Sequence, residues 1–201
     1  TSHPRDMSDD LINTYKISKK LMPLVHLPVQ SGSDKILSLM NRKHTINEYY
    51  EIYKKLKNIN PKIKFSSDFI IGYPEEQECN FLDTLNLIKK IDFINSFSFI
   101  FSPRPGTVAS KLDLIDKEIS LKRLKIVQRE LLNHQIKMNK SLENQVIDVL
   151  VENKSKEGPK FFGRSEYMTS VIFDANDEDV GKIVKIKIKS SNRNTLFGEM
   201  L

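Results

Sequence analysis

Three polar corners in the first half of the chain carry side chains that could bind a polar ligand. The first, Gln30–Ser33, follows an apolar run and precedes a helical pattern. Gln30 and Ser31 offer hydrogen-bond donors and acceptors suited to ribose hydroxyls or a carboxylate, and Gly32 permits a close approach of the backbone. The alternative is a simple strand–helix turn in which Ser33 is the N-cap.

The second corner, Asp68–Glu76, lies at the end of the next apolar run. Gly72 and Pro74 end the strand abruptly, and the acidic residues after them suit the positive end of a helix dipole. Asp68 lies inside the strand, on its polar side, and a carboxylate that faces the interior needs a partner. A ligand hydroxyl or amine is one such partner.

The third corner, Pro103–Gly106, places one of the few arginines of the chain between two prolines. The two prolines stiffen the backbone, so that the Arg104 guanidinium could be held in place to bind a phosphate or carboxylate. The alternative is that Arg104 forms an ordinary salt bridge. His26 has no partner at metal-ligand spacing and is predicted to be a hydrogen-bonded wall residue. Cys79 is predicted to be inert, so we expect no metal site within this chain.

Alternating strands and helices position these corners. The predicted strands are Leu24–Val29, Lys64–Gly72 and Asn95–Ser102. The first predicted helix contains Leu11 and ends at Pro23, and two more are predicted at Asp34–Asn41 and Ile46–Asn58. Thr45 and Glu48 are predicted to form a capping box at the start of the third helix. A fourth helix is predicted through Phe81–Ile88, and a long fifth helix over Lys117–Asn139. Strand–helix–strand repetition without hairpin signals predicts a parallel sheet with crossover helices.

Each of these strands is predicted to have one apolar and one polar face. The polar sets are His26 with Gln30, Ser66 with Asp68, and Ser96, Ser98, Ser102 and Arg104, the last set opposite Phe97, Phe99 and Phe101. The strands of a doubly wound sheet have apolar residues on both faces. A barrel with a packed interior has branched apolar residues on its inner face. The pattern therefore favours a barrel open enough to hold a polar ligand, unless a strand slips by one residue and exchanges its faces.

From about Ser141 the chain changes to short strands, predicted at Val146–Glu152, Val171–Phe173 and Ile183–Lys189. The sequence thus predicts an α/β part over residues 1–140 and a small all-β, OB-like barrel over residues 141–201. Outward lysines in the last strand, at Lys185, Lys187 and Lys189, lie near Phe161, Phe162 and Arg164 in the prediction. Such a set suits single-stranded nucleic acid, and a protective lysine face is the alternative.

Composition limits the function classes. The formal charge of +6 is uneven, since residues 1–140 hold 23 Lys and Arg against 16 Asp and Glu, and residues 141–201 hold 9 against 10. This surplus is compatible with a polyanionic partner or with a lysine-rich surface. The single cysteine excludes an internal disulfide framework and a three-cysteine cluster site, and it fits a cytoplasmic protein. No apolar run is long enough to span a bilayer.

Five motifs in order resemble the radical S-adenosylmethionine methylthiotransferases, and among them the MiaB-type tRNA enzymes. They are Thr1-Ser-His-Pro4, His26-Leu-Pro-Val-Gln-Ser-Gly-Ser33, Leu39-Met-Asn-Arg-Lys-His-Thr45, Ser66-Ser-Asp-Phe-Ile-Ile-Gly-Tyr-Pro74 and Phe101-Ser-Pro-Arg-Pro-Gly-Thr107. The tail resembles the TRAM module of that family, an OB-like RNA-binding barrel, at Gly163-Arg164, Gly181 and Leu196-Phe-Gly198. The similarity covers essentially the whole chain.

The resemblance implies the second half of a TIM-like radical S-adenosylmethionine barrel followed by a TRAM module. It implies a tRNA methylthiotransferase that adds a methylthio group to C2 of N6-isopentenyladenosine at position 37, with S-adenosylmethionine and two [4Fe–4S] clusters as cofactors in the intact protein. The cysteines that hold those clusters belong to upstream parts of the family's sequence, so this chain is expected to ligate none. Alternatives are a sister methylthiotransferase acting on threonylcarbamoyl-adenosine or a ribosomal protein, and a non-catalytic RNA-binding fragment.

The resemblance, together with the polar corners and the spacing of the lysine row, predicts site residues and partners. Gln30, Ser66 and Asp68 are expected to line the S-adenosylmethionine pocket, and Gly72 to let the adenine approach the backbone. Arg104 is expected to help place the target nucleotide, and the tRNA anticodon arm to contact the RNA-binding residues Arg164, Lys185, Lys187 and Lys189. A monomer is expected, and the sulfur donor is left open.

The chain departs from the family pattern at two turns. The pattern Gly-Glu-Thr is replaced by Glu75-Glu76-Gln77, so the first turn must form without its usual glycine. The pattern Pro-Ala-Ala is replaced by Val108-Ala-Ser110 at the second turn.

Overall fold

The computed structural model describes residues 2–155 and 158–201. Thr1, the first residue of the first family motif, lies outside this part. The chain divides into two compact units, one of Thr1–Leu21 and Val25–Leu131 and the other of Met22–Leu24 and Leu132–Leu201. Within the described residues, no helix is long and apolar enough to cross a membrane.

The first unit alternates strands and helices as predicted. Its elements are α1 (Asp9–Ile17), β1 (Leu24–His26), α2 (Asp34–Leu39), α3 (Ile46–Ile59), β2 (Lys64–Ser66), β3 (Asp68–Ile71), α4 (Glu78–Lys90), β4 (Phe97–Ile100) and the start of α5 (Lys117–Ser141), with short 3-10 turns at Pro4–Asp6 and Val108–Lys111. Thr45 and Glu48 form the predicted capping box at the start of α3. Helix α1 is shorter than predicted: it ends at Ile17, and Met22 is exposed.

The strands form two short sheets of two strands each, β1 with β2 and β3 with β4, and an isolated parallel bridge between Gln30 and Phe69 connects them. β1 adjoins β2, and β3 pairs in parallel with β4. The amide of Gln30 donates to the Asp68 carbonyl (3.0 Å) and the amide of Ile70 donates to the Gln30 carbonyl (2.8 Å), which extends the ladder from β1 to β3. Crossover helices between parallel neighbours confirm the predicted α/β class.

Buried residues on one face of the sheet form the core of this unit. Val25, Leu27 and Val29 are buried, as are Phe69 and Ile71, so the predicted faces of β1 and β3 are confirmed. Helices α3 and α4 pack against the same cluster through side chains such as Tyr49, Leu56, Phe81 and Ile88. The polar side of β1 and β3 is thereby left on the opposite face.

The predicted orientation of β4 is wrong, because the residues expected on its buried face lie on the opposite face. Asp68 pairs with Phe97 and Ile70 pairs with Phe99. Paired residues of neighbouring strands project from the same face, so the two phenylalanines share the face of Asp68, and Ser98 shares the face of Phe69. The alternation itself was right, but the apolar residues of β4 lie on the open face rather than against the helices, with Phe97 and Phe99 more than half exposed.

The second unit contains a closed five-stranded barrel. Its strands are β5 (Val146–Lys154), β6 (Phe161–Ser165), β7 (Ser170–Phe173), β8 (Ile183–Ser191) and β9 (Thr195–Met200), in the order β5-β6-β7-β9-β8. Within the described residues of the barrel, β7 and β9 pair in parallel, and the other pairs of neighbouring strands are antiparallel. Closure by a five-stranded Greek key confirms the predicted OB-like barrel. The sequence predicted β5, β7 and β8 but not β6 or β9.

Candidate functional site

Three polar side chains meet on the open face of β1–β3, and we call them the polar cluster: His26, Ser66 and Asp68. His26 Nδ1 lies 2.8 Å from Ser66 Oγ, and His26 Nε2 lies 3.6 Å from Asp68 Oδ2. Ser66 also donates to the Asn95 carbonyl at 2.7 Å. The side chains of His26 and Asp68 are 28% and 31% exposed, so the cluster is fixed by its own bonds yet remains open to a ligand.

Gln30 adopts a backbone conformation that is uncommon for a residue with a side chain. Its φ is +73°, and it is buried at the carboxyl end of the extended segment that begins with β1. The two ladder bonds on either side of Phe69 hold its backbone in place. Left-handed conformations of non-glycine residues cost energy and are concentrated at functional sites. Gln30 is therefore adjacent to the polar cluster and held in a strained geometry.

The rest of the first corner anchors helix α4. The Gly32 amide donates to Thr84 Oγ1 at 2.9 Å, and Asn80 Nδ2 donates to Ser33 Oγ at 3.0 Å. A β-carbon on Gly32 would lie 2.5 Å from the Thr84 α-carbon, so glycine is required by the close approach of the helix. Ser33 occupies the N-cap position of α2 but makes no side-chain capping bond. Packing thus accounts for Gly32 and Ser33.

The second corner is closed by a buried ion pair. Arg123 on α5 donates through Nη1 to Glu76 Oε1 and to the Glu76 carbonyl, both at 2.9 Å, and through Nη2 to Glu78 Oε2 at 2.9 Å. The Gly72 amide donates to the same Glu76 carboxylate at 3.2 Å. Burial raises the pKa of Glu76, while the Gly72 amide and Arg123 oppose that rise. The acids at this corner therefore connect β3 to α5, which the helix-dipole argument did not anticipate.

Gly72 has a structural reason for its identity as well. Its φ is +72°, and a β-carbon there would lie 2.5 Å from Ser120 Oγ of α5. Four residues of strand, about 13 Å at the usual rise, separate it from Asp68. The structure thus brings Ser66 and Asp68 together with His26, places the backbone of Gln30 beside Asp68, and places Gly72 beyond the end of β3.

Two phenylalanines of β4 border the polar cluster, and the sequence interpretation missed them because it placed them on the other face. Phe97 and Phe99 are 59% and 54% exposed. Their rings are nearly parallel, with centroids 6.5 Å apart and an interplanar angle of 16°. Exposed, parallel rings beside hydroxyl and carboxylate groups can hold a flat heterocycle and its sugar together.

The loop between α2 and α3 contains the basic residues Arg42 and His44, and His3 lies beside it. His44 is 6% exposed, its ring lies edge-on to His3 at 5.3 Å, and neither ring nitrogen has a hydrogen-bond partner among the described residues. Burial, then His3 and Arg42, lower the pKa of His44 to about 4, against a smaller rise from Glu48. Burial also lowers the pKa of Arg42, whose charge is favoured by Asp68. His44 is therefore neutral at pH 7.

Arg104 lies in an exposed turn after β4. Its carbonyl accepts bonds from the Thr107 amide at 3.2 Å and from Thr107 Oγ1 at 2.8 Å, so the turn is fixed by its backbone. Its guanidinium forms no ion pair with the part of the chain that the structure describes. The side chain is therefore available to an anionic ligand.

The first unit suits a nucleoside cofactor and does not suit an iron–sulfur cluster. Imidazole, hydroxyl and carboxylate groups of the polar cluster can bind ribose hydroxyls or an amine, and the rings of Phe97 and Phe99 can bind adenine. No group of three or more His, Cys, Asp or Glu residues within residues 2–155 and 158–201 could hold a metal ion. The single cysteine, Cys79, is exposed and cannot replace three thiolates.

The predicted lysine row of the barrel lies on its outer surface. Ile186 and Ile188 are buried, which confirms the alternation, and the lysines project outward. Lys185 pairs with Asp148 at 2.6 Å and Lys189 pairs with Glu199 at 2.5 Å. Carboxylates of neighbouring strands thus partly neutralise the row.

Arg164 is engaged within its own unit. Its Nε lies 3.3 Å from Glu152 Oε1, its Nη1 donates to the Met168 carbonyl at 3.2 Å, and its guanidinium lies 5.3 Å from the ring centre of Phe162. The guanidinium therefore covers one aromatic ring of the barrel surface, a contact that the sequence interpretation did not identify.

Family comparisons match both parts of the chain. Residues 1–88 match the Radical SAM superfamily, and residues 140–201 match the TRAM domain. Among solved structures, coproporphyrinogen III oxidase (HemN) from Escherichia coli, described as a radical SAM enzyme, covers 98% of this chain and 49% of its own with a TM-score of 0.55 at 13% identity. This likeness shows the fold alone and agrees with the predicted radical SAM barrel.

Curated relatives match over the whole chain. The tRNA-2-methylthio-N(6)-dimethylallyladenosine synthase of Pelagibacter ubique (strain HTCC1062) is 68% identical over 200 residues, which are 100% of this chain and 45% of that protein. The synthases of the same name from Ruthia magnifica subsp. Calyptogena magnifica and Rickettsia akari (strain Hartford) are 46% and 44% identical, again over 100% of this chain and 46% of their own length. The chain spans about half the length of these relatives.

Proposed function

Because the chain belongs along its whole length to the family of the tRNA-2-methylthio-N(6)-dimethylallyladenosine synthases, we propose that it contributes to an enzyme of that activity. The enzyme adds a methylthio group to C2 of N6-isopentenyladenosine at position 37 of tRNA. When bound, S-adenosylmethionine supplies the radical and methyl chemistry. Two [4Fe–4S] clusters complete the active enzyme and take no ligand from this chain.

The observation that carries the proposal is the polar cluster beside two exposed aromatic rings. Ser66 and Asp68 bind the ribose and amino acid parts of S-adenosylmethionine, together with Gln30, and His26 fixes the orientation of both hydroxyl and carboxylate. Gly72 lets the adenine approach the backbone at the carboxyl edge of the sheet. The residues of this chain thus bind and orient the cofactor, and the surrounding sheet excludes water from one side of it.

The tRNA substrate contacts residues of both units in this proposal. Residues 1–140 form the radical SAM part and residues 141–201 the RNA-binding part. Arg104 places the target nucleotide, while Arg164, Lys185, Lys187 and Lys189 contact phosphates of the anticodon arm. The proposed enzyme acts as a cytoplasmic monomer, since tRNA is modified in that compartment.

Cofactor affinity tests the assignment. In the reconstituted protein that contains this chain, Gln30→Ala and Asp68→Asn should each weaken S-adenosylmethionine binding by roughly tenfold, the effect of one lost hydrogen bond to a charged or polar ligand. Asp83→Asn removes an exposed carboxylate of α4 and is the matched control. Unchanged affinity in both site variants, measured by isothermal titration calorimetry, would refute the pocket.

The reaction itself is tested on tRNA. Mass spectrometry of nucleosides from a strain that lacks the gene should show N6-isopentenyladenosine without its 2-methylthio derivative, and the intact gene should restore the latter. Loss of a methylthio group from threonylcarbamoyl-adenosine instead would assign the protein to the sister branch.

A further inference from the structure

One wall of the barrel carries an apolar groove that is separate from the lysine row. A row in register runs across neighbouring strands, from Phe162 on β6 through Ile172 on β7 to Phe197 on β9. The groove has a volume of about 710 Å³. With strands about 4.8 Å apart, the two rings are separated by about 10 Å across the sheet. We call this the aromatic groove.

The groove is open, although its central residues are large and apolar. Phe197 is 37% exposed, and Phe162 and Ile172 are only partly buried. Among the residues that the structure describes, the rest of the lining is polar and contains Asn153, Ser155, Ser170, Asn192 and Thr195. Lys160 is the charged residue of this described lining, and its Nζ lies 3.8 Å from Asp174 Oδ2. An exposed apolar floor with amide and hydroxyl groups around it is typical of a surface that binds flat, hydrogen-bonding ligands.

Backbone irregularities border the groove on both sides. The β5–β6 ladder shifts its register between Val151 and Asn153, and Asn153 is the partner of Phe162. The β8–β9 ladder shifts between Ile188 and Ser190, and Ser190 is the partner of Phe197. Bulges re-aim side chains and concentrate at barrel rims beside functional sites. Two of them flanking the same row indicate that the row is shaped for a ligand.

From these observations we propose that the aromatic groove binds unpaired RNA bases, which stack on Phe162 and Phe197. The inference rests on the proposed function, because it takes tRNA as the partner, and it assigns the bases to a surface different from that of the phosphates. Aromatic rings bind bases of any sequence by stacking, and asparagine amides can read the edge of adenine. None of the described lining residues of the groove carries a carboxylate that would repel the phosphates next to those bases, whereas the lysine row is interleaved with Asp148 and Glu199.

A tryptophan reporter tests the location, since the chain contains no tryptophan. Phe197→Trp places the reporter in the groove, and Ile183→Trp is the control on the strand of the lysine row, where Ile183 is 70% exposed. The probe is an RNA hairpin with a single-stranded anticodon-like loop, compared with a fully paired RNA duplex. The hairpin should quench the fluorescence of the Phe197→Trp variant, the duplex should not, and the control should respond to neither.

Affinity measurements separate stacking from charge. Phe162→Ala with Phe197→Ala should weaken hairpin binding by roughly tenfold or more, the effect expected of one or two lost stacking contacts, while the slope of affinity against salt stays unchanged because no charge is removed. Lys185→Gln with Lys187→Gln should instead reduce that slope. Circular dichroism establishes whether the double alanine variant is folded, and the tryptophan reporters decide the question if it is not.

The outcomes distinguish this inference from the proposed function. Hairpin binding by anisotropy with no quenching of the Phe197→Trp variant, or quenching of the Ile183→Trp variant alone, would overturn the groove assignment and leave the enzyme assignment standing. Quenching by the duplex equal to that by the hairpin would overturn it as well. Failure of the cofactor and nucleoside tests with intact groove quenching would overturn the enzyme assignment only.

Discussion

Charged side chains have different surroundings in the two units. In the first, Arg123 and Glu76 form a salt bridge whose side chains are 9% and 0% exposed, with the Gly72 amide and the Glu76 carbonyl as further partners. In the barrel, Lys189 pairs with Glu199, and the side chains are 48% and 54% exposed. The same kind of contact therefore fixes the geometry of a corner in one unit and remains solvated on a surface in the other.

The difference follows from the solvent. A buried pair loses hydration, and only close partners on all sides compensate, so removal of one member leaves an uncompensated charge. An exposed pair exchanges protein contacts for water with little change in free energy. Buried charges therefore stabilise the structure of the unit around them, whereas exposed charges can bind an external anion.

The largest expected effect comes from breaking the buried pair. Arg123→Ala leaves Glu76 without its cation and should lower the free energy of unfolding by about 3–5 kcal/mol. Lys189→Ala removes an exposed pair and should cost less than about 1 kcal/mol. Urea denaturation of both variants measures the contrast, and equal effects would show that burial does not govern these pairs.

Low pH should lower the free energy of unfolding of the first unit, because His44 becomes protonated on unfolding. Its folded-state pKa is lowered to about 4 from the ordinary 6.5, so the folded state binds fewer protons than the unfolded state between these values. The contribution is fully present above pH 6.5 and is lost as the pH falls toward 4, by about 2 kcal/mol at pH 5. His44→Leu should remove this part of the pH dependence. If urea titrations show that the free energies of unfolding of parent and variant depend on pH in the same way, His44 is not the source of this pH dependence.

The sequence predicted what depends on regular alternation and local capping. Val25, Leu27 and Val29 fall on the buried face, and Thr45 and Glu48 form the capping box, because these features involve residues close in sequence. The face of β4 could not be predicted, since alternation shows which residues share a face, while pairing with β3 decides that Phe97 lies on the face of Asp68.

Two barrel strands were missed for a related reason. Gly163 in β6 and Gly198 in β9 lower the strand signal, because glycine is depleted in strands. Their necessity is visible only in three dimensions: a β-carbon would lie 2.4 Å from the Leu150 carbonyl oxygen in the first case and 2.5 Å from Ile186 Cγ2 in the second. The aromatic groove, which depends on both strands, was therefore beyond prediction.

The candidate site was predicted in its polar part only. Ser66 and Asp68 were identified from alternation, and His26 was expected as a hydrogen-bonded wall residue, which its bond to Ser66 confirms. Phe97 and Phe99 were placed on the wrong face, and the pair of Glu76 with Arg123 joins residues 47 positions apart. Contacts between distant segments of this kind leave no local pattern.

A smaller effect is expected at the turn where the chain departs from its family. Glu75 stands at the usual glycine position and adopts φ +67°, the left-handed region that glycine enters without steric cost. Glu75→Gly should therefore raise the free energy of unfolding by about 0.5–1 kcal/mol, after the greater freedom of glycine in the unfolded chain is counted. Glu75→Ala keeps the β-carbon and is the control. A loss of stability in the glycine variant would show that the Glu75 side chain, rather than the backbone, stabilises the turn.

The smallest effect on stability, and the sharpest test of the contrast between the units, concerns the lysine row. Three free lysines would together change the slope of affinity against salt by about two units on single-stranded RNA. Lys185 and Lys189 are already paired with Asp148 and Glu199, so that RNA binding there displaces a carboxylate as well as counterions. Replacing all three lysines by Gln should therefore flatten the slope by only about one unit, which Lys187 supplies, and change stability by less than about 1 kcal/mol. In the parent protein, Asp148→Asn together with Glu199→Gln removes the partners of two lysines, and this change should steepen the slope of RNA affinity against salt. If neither set of changes alters the slope in anisotropy titrations with the RNA hairpin, the row is a solvated surface, and the exposed charges of the barrel have no role in RNA binding.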